Sequence, residues 1–233
     1  MVREEIIKRS PIRVLEKLTH GGAGKGNIGV FASRPGVGKT ACLVHLGSDK
    51  LLQGKHVIHA SFADDTRHIS AWYEDIFREI TRRNNLDSAE TIHNEAVRNR
   101  VIMNFTQDGV HITEIEKSFK ALIEQGNFQA DAVLIDGYDF GRSSTEELQE
   151  FREFARSHGL EVWFTASVGD VGDGTEIPPE LMHVADEISV AISLRPDSDY
   201  VHLTLVKDHG SPPTNDPDMH LKLDAKLLLI AEE

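Results

Sequence analysis

Ser33-Arg-Pro-Gly-Val-Gly-Lys-Thr40 follows the apolar run Ile28-Gly-Val-Phe-Ala32 and leads into Ala41-Cys-Leu-Val-His-Leu46, which places the octet where a strand turns into a helix. Glycines set in this way and closed by Lys-Thr form the pattern of a phosphate-binding loop. Its physical basis is a concavity of backbone N–H groups at the positive end of a helix. Gly36 and Gly38 allow a sharp turn and a close backbone approach, Lys39 is expected to reach the β- and γ-phosphates, and Thr40 to offer its hydroxyl to Mg²⁺. The residues expected to touch a nucleotide are therefore Ser33, Arg34, Pro35, Gly36, Val37, Gly38, Lys39, Thr40 and Ala41. The usual pattern begins with Gly; Ser33 stands there instead, small enough to keep the turn.

Outward from the octet, the pattern alternates. A helix is predicted from Lys39 to about Leu52, a strand over His56–Phe62, helices over 67–83 and 88–99, and a short strand over Val101–Phe105. There follow a helix over Thr113–Gln125, a strand over Ala132–Asp136, a helix over Thr145–His158 and a strand over Leu160–Ala166. The end differs: Glu187–Leu194 and Tyr200–Lys207 both read as strands split by a turn at Arg195-Pro-Asp-Ser198, with another edge near Leu227–Ile230. This order predicts an α/β fold, a mostly parallel twisted sheet flanked by helices with an antiparallel C-terminal edge. Before it, residues 1–20 read as a helical arm with apolar Ile6, Ile7, Val14, Leu15 and Leu18, broken by Pro11, and residues 21–233 as the domain proper. Gly21-Gly-Ala-Gly-Lys-Gly26 precedes a strand and has no Ser or Thr after Lys25, so it reads as a turn.

A chain of 233 residues, 39% hydrophobic and 27% charged, suits one globular domain with a sizeable core. Met1-Val-Arg-Glu-Glu5 lacks the apolar core of a secretory signal, and the apolar stretch Leu227–Ala231 is too short to span a bilayer, so a cytoplasmic protein without a membrane anchor is expected. The net charge is −13, with ten Lys/Arg against four Asp/Glu in residues 1–60 and fifteen against thirty-four thereafter. That balance disfavours a surface that tracks nucleic acid, since such affinity rests on clustered Lys and Arg. The single cysteine, Cys42, reads as a small buried hydrophobe. Twelve histidines suggest metal binding only superficially, because no pair has ligand spacing with a cysteine or carboxylate partner.

Asp136 ends an apolar strand, where a carboxylate beside a phosphate loop orients the water shell of Mg²⁺; Thr40 and Asp136 are thus the expected metal residues. Asp139, three residues on, reads equally as an assisting acid or a loop charge. Hydrolysis needs a group acting on water, and Gly137 occupies the position after Asp136 where many motors carry Glu. Asp64 and Asp65 beyond the second strand are the candidates, with a helix cap as the competing role.

In order, these segments resemble the RecA-type P-loop ATPase core, in its DnaB-helicase and KaiC branch. The lead-in Gly21–Thr40 resembles that branch's glycine turn, first strand and Ala-Arg-Pro-type loop. Asn104–Phe140 resembles the strand, helix and Walker B strand that follow, Val184–Ile192 its Ala-Asp strand entry, and Lys207-Asp-His-Gly210 its Lys-x-Arg-x-Gly segment. The resemblance implies a RecA-like fold, a ring-forming homo-oligomer, and ATP with Mg²⁺ as ligands. In such rings Lys207 and His209 would face a neighbour's γ-phosphate. Here His209 replaces the arginine, Ala63 or Asp64 stands where the family's catalytic Glu falls, and Val168 where its polar sensor falls.

A trans arginine accelerates phosphoryl transfer by about a thousandfold or more, so the implied catalytic set, Lys39, Asp64, Asp136, Lys207 and His209, predicts slow or regulated hydrolysis. The expectation is an ATPase, in effect a hydrolase, whose nucleotide state controls a protein partner. Alternatives are a nucleotide-sensing switch without turnover and a DNA-dependent helicase or translocase. The last is disfavoured by the short Gly141-Arg-Ser-Ser144 and acidic Gly169–Gly174 segments where channel loops would lie. No Asn-Lys-x-Asp motif for guanine occurs, which favours ATP.

Overall fold

In the computed structural model, residues 3–62, 65–86, 88–106, 110–170, 175–211, 218–224 and 230–232 are described. The chain runs through α1 (Arg3–Lys8), α2 (Ile12–Leu18), β1 (Asn27–Ser33), α3 (Lys39–Leu52), β2 (Val57–Ser61), α4 (Thr66–Asn84), α5 (Ala89–Arg98) and β3 (Arg100–Asn104). It continues through α6 (Ile112–Lys120), β4 (Ala132–Asp136), α7 (Thr145–Ser157), β5 (Glu161–Ser167), β6 (Ile188–Asp197), β7 (Tyr200–Asp208), β8 (Asp218–Asp224) and β9 (Ile230–Glu232). A π-helical turn, Ala121–Gln125, prolongs α6, and a 3₁₀ segment, Pro179–Glu187, leads into β6.

The strands form one nine-stranded sheet in the order β3-β2-β4-β5-β1-β6-β7-β8-β9. From β3 to β6 every pairing is parallel; from β6 to β9 every pairing is antiparallel. The architecture expected from the alternation is therefore present, with differences in detail. The hairpin joining β6 to β7 turns at Ser198 and Asp199, and Arg195, Pro196 and Asp197 stay in register with His202, Val201 and Tyr200. Ser198 adopts φ 41° and so takes the positive-φ role in the turn, which shares only that residue with the expected Arg195–Ser198 segment. Residues 212–217 and residues 225–229, which include most of the expected edge Leu227–Ile230, lie outside the described residues.

Central strands read as near-continuous apolar runs because both faces are covered. Val133 and Ile135 of β4 enter one core with α6 and α7, whereas Ala132 and Leu134 enter the other, with α3, α4 and α5. Gly29 interrupts β1 for a steric reason: a Cβ there would come within 2.6 Å of the Trp163 ring. That ring stacks on Phe31 with centroids 4.8 Å apart.

The N-terminal arm packs into the same core. Pro11 separates two short helices whose Ile6, Ile12 and Leu15 are buried with α3. Lys50 of α3 donates to Glu161 Oε2 at 2.6 Å and to Glu16 of α2 at 3.4 Å, while Trp163 Nε1 donates to Glu161 Oε1 at 2.9 Å. Burial opposes the charged form of Lys50, yet the carboxylates of Glu161 and Glu16 outweigh it and hold the ammonium above its ordinary value. Among the described residues, no helix is long and apolar enough to cross a membrane.

Candidate functional site

The glycine loop spans the gap between the last residue of β1, Ser33, and the first of α3, Lys39. Gly36 and Gly38 have φ of 80° and 115°, values that β-carbon-bearing residues rarely adopt. Gly38 has a second constraint, since a Cβ would meet Leu223 Cδ2 at 2.4 Å. The backbone N–H groups from Gly36 to Thr40 donate to no protein acceptor among the described residues. Arg34, Pro35 and Gly36 are exposed and Val37 and Gly38 half-buried, so these unsatisfied donors sit at the surface at a helix N-terminus. Ala41 is buried in the first turn of α3.

Lys39 is 8% exposed and folds back on the start of its own loop, donating to Ser33 O and Arg34 O at 2.9 Å each and to Ser33 Oγ at 3.3 Å. Burial draws its ammonium down to about 8, against the opposing pull of the Asp136 carboxylate. Asp136, 1% exposed, ends β4. Thr40 Oγ1 lies 3.0 Å from its Oδ2 and 3.2 Å from Oδ1. Thr165 on the neighbouring β5 donates to Oδ1 at 2.7 Å, and its hydroxyl accepts the Gly137 N–H at 2.7 Å. Lys39 and Thr40, the latter 96 positions before Asp136, are thus brought together with that carboxylate at the carboxyl ends of β1 and β4, where open α/β sheets take their ligands. Val168 N–H donates to Ser33 O at 3.1 Å and ties the end of β5 to the loop.

Thr165 is the participant that sequence reasoning missed. Its signal was slight: a hydroxyl among the apolar residues of the strand Glu161–Ser167, beside the strand that ends in Asp136. Beside the loop, a groove of about 550 Å³ runs between Arg34–Val37 and the β6–β7 hairpin residues Pro196, Ser198, Tyr200 and Val201.

The other expected participants fall elsewhere. Asp64 and Ala63 lie outside the described residues. Asp65 caps α4, accepting from the N–H groups of Arg67 and His68 at 2.9 Å each. Asp139 caps a 3₁₀ turn through Gly141 N–H and pairs with Arg142 at 3.2 Å. Lys207 stands at the end of β7 and His209 just after it; that end pairs near the start of β6 and therefore lies toward the opposite end of the sheet from the loop. From Gly29, in register with Val190 and Asp208, to Ser33 is four residues of strand, about 13 Å. Lys207 donates to Ala185 O at 2.5 Å, and His209, with φ 51°, places Nε2 3.2 Å from Gly22 O. Burial lowers the Lys207 ammonium from its ordinary value, with Asp186 opposing. Neither side chain meets the loop of its own chain in these contacts. Cys42 is fully buried and its thiol is pushed up to about 12 by desolvation.

Among the described residues, no group of three or more His, Cys, Asp or Glu is placed to hold a metal ion. Compared with protein-family models and with curated proteins, the chain matches none.

Proposed function

We propose that the chain is a RecA-like P-loop ATPase of the DnaB and KaiC kind, which binds Mg·ATP and uses its nucleotide state to control a protein partner. One observation carries this reading: open amides from Gly36 to Thr40 stand beside a Thr40–Asp136 hydrogen bond. Free N–H groups at a helix N-terminus take phosphate oxygens. The donor set also fits Mg²⁺, a hard cation usually held by one or two protein oxygens together with phosphate and water. Thr40 Oγ1 and the Asp136 carboxylate would hold it, directly or through water. When bound, the ion neutralises charge on the β- and γ-phosphates.

The chain's own groups do the rest. Lys39 exchanges the Ser33 and Arg34 carbonyls for phosphate oxygens, Thr165 fixes the Asp136 carboxylate, and the amides orient the triphosphate. Lys207 and His209 serve only across a subunit boundary, which makes a homo-oligomer part of the proposal. Hydrolysis is slow, because His209 is a poor substitute for a transition-state guanidinium.

A second reading, a nucleotide-sensing switch without turnover, is favoured by the engagement of Asp65 and Asp139 in caps. ATP titration of the wild type and of Lys39→Ala tests the site: tight binding by the first and at least tenfold weaker binding by the second are expected. Equal binding by both removes the site. Phosphate release over hours at saturating Mg·ATP then separates the slow ATPase from the switch.

A further inference from the structure

Under the N-terminal arm, away from the glycine loop, a cavity of about 290 Å³ opens between α1, the C-terminal half of α3, the end of α4 and β9. That size is at the small end for ligand sites, which run from about 300 to 1,000 Å³. Ile6, Leu52, Ile80 and Ile230 supply apolar walls. The polar lining comprises Arg9, Ser10, His45, Asp49, Arg83 and Asn84.

His45, 3% exposed, accepts the Ile230 N–H at Nδ1 at 2.9 Å. Its ring proton therefore sits on Nε2, for which no protein acceptor exists among the described residues. Arg83 commits Nε to Glu79 at 2.8 Å, and its terminal nitrogens have no protein partner among the described residues. Arg9 has no ion-pair partner among them either. Among the described lining residues the one carboxylate is that of Asp49, whose Oδ2 accepts from Arg13 and from Gln53 Nε2, the latter at 2.7 Å, while its buried Oδ1 has no partner. Burial holds His45 down at about 4, with Asp49 opposing and Arg83 adding to the depression, so the ring is a neutral donor at physiological pH.

We propose that this cavity binds a small carboxylate with an apolar body, its head taken by Arg9, Arg83 and His45 Nε2, its body lying against Leu52, Ile80 and Ile230. The His45 imidazole N–H, which has no protein acceptor among the described residues, and two guanidinium groups beside it favour an anion. Apolar walls select an organic acid over inorganic phosphate.

Hexanoate is the probe, titrated calorimetrically into the nucleotide-free full chain, with hexanamide and inorganic phosphate as comparisons. Saturable hexanoate binding is expected, at least tenfold weaker for both comparisons and about tenfold weaker in each of Arg9→Gln and Arg83→Gln, the loss of one charge-assisted hydrogen bond. Lys39→Ala should bind hexanoate as the wild type does, so the outcome stands apart from the nucleotide reading. No saturable binding by the wild type, phosphate binding as tight as hexanoate, or unchanged affinity in both arginine variants would overturn the proposal. Far-UV circular dichroism of the two variants verifies the fold; both substitutions fall on side chains with solvent exposure.

Discussion

The Thr165 hydroxyl bridges two consecutive groups of β4's end: it donates to Asp136 Oδ1 at 2.7 Å and accepts the Gly137 N–H at the same distance. Thr165→Val deletes both bonds at a site only 1% exposed. The expected cost is about 1–3 kcal/mol, with weaker Mg·ATP binding, while Thr165→Ser keeps both stability and affinity. Urea unfolding and nucleotide titration of the two variants check this; a Val variant as stable as the wild type would contradict it.

Lys39 gives nucleotide binding a pH dependence. Its folded value is about 8, so the ammonium is charged below that pH and discharges above it. A triphosphate favours the charged form, which raises the value in the complex and makes binding tighter below pH 8. Affinity at pH 9 should be about tenfold weaker than at pH 7. Calorimetry at both values tests it, with Lys39→Arg giving a flat profile.

Gly29→Ala pushes a methyl into the Trp163 ring from 2.6 Å away, in a strand paired on both sides, with β5 and β6. Overpacking of this kind costs about 1–3 kcal/mol. In a chain of this size the melting temperature should fall by about 2–4 °C per kcal/mol. An unchanged melting temperature would show that the Phe31–Trp163 stack can move aside.

Two buried histidines should weaken the fold in acid. Desolvation lowers His45 to about 4 and His59 to about 3, the latter also depressed by Arg100. Both are neutral when folded, so the stability they contribute is complete above the unfolded value of about 6.5 and is lost as pH falls toward their folded values. At pH 5 the loss is about 2 kcal/mol for each. Denaturant titrations at pH 7 and pH 5 measure it, and His59→Phe should remove part of the slope.

Much of this organisation was legible along the chain, because it rests on local pattern. The bounds of α3 and β4 and the start of α7 follow from periodicity, and in the fold a Ser144–Glu147 capping box fixes that start. The glycine loop and its lysine are contiguous, and the apolar run ending in Asp136 marks a strand terminus wherever it is read. The β6–β7 turn was misplaced because Arg195-Pro196 carries a turn signal that cross-strand pairing with His202 and Val201 overrides.

The order of the strands and everything joined across it were decided by tertiary structure. β5 falls between β4 and β1, and only that placement sets Thr165 against Asp136. Lys50 and Glu161, 111 residues apart, give no sequence sign of a buried pair, since a helical lysine normally reads as solvated. Lys207 and His209 follow the same rule: their motif suggests a phosphate contact, yet register places them toward the far end of the sheet from their own loop. By itself the sequence determined most of the strands and helices and where the glycine loop joins them, because those depend on side-chain period and backbone freedom within a few residues. Which side chains share a site depends on how strands are ordered and paired, a matter of non-local packing that only the folded chain resolves.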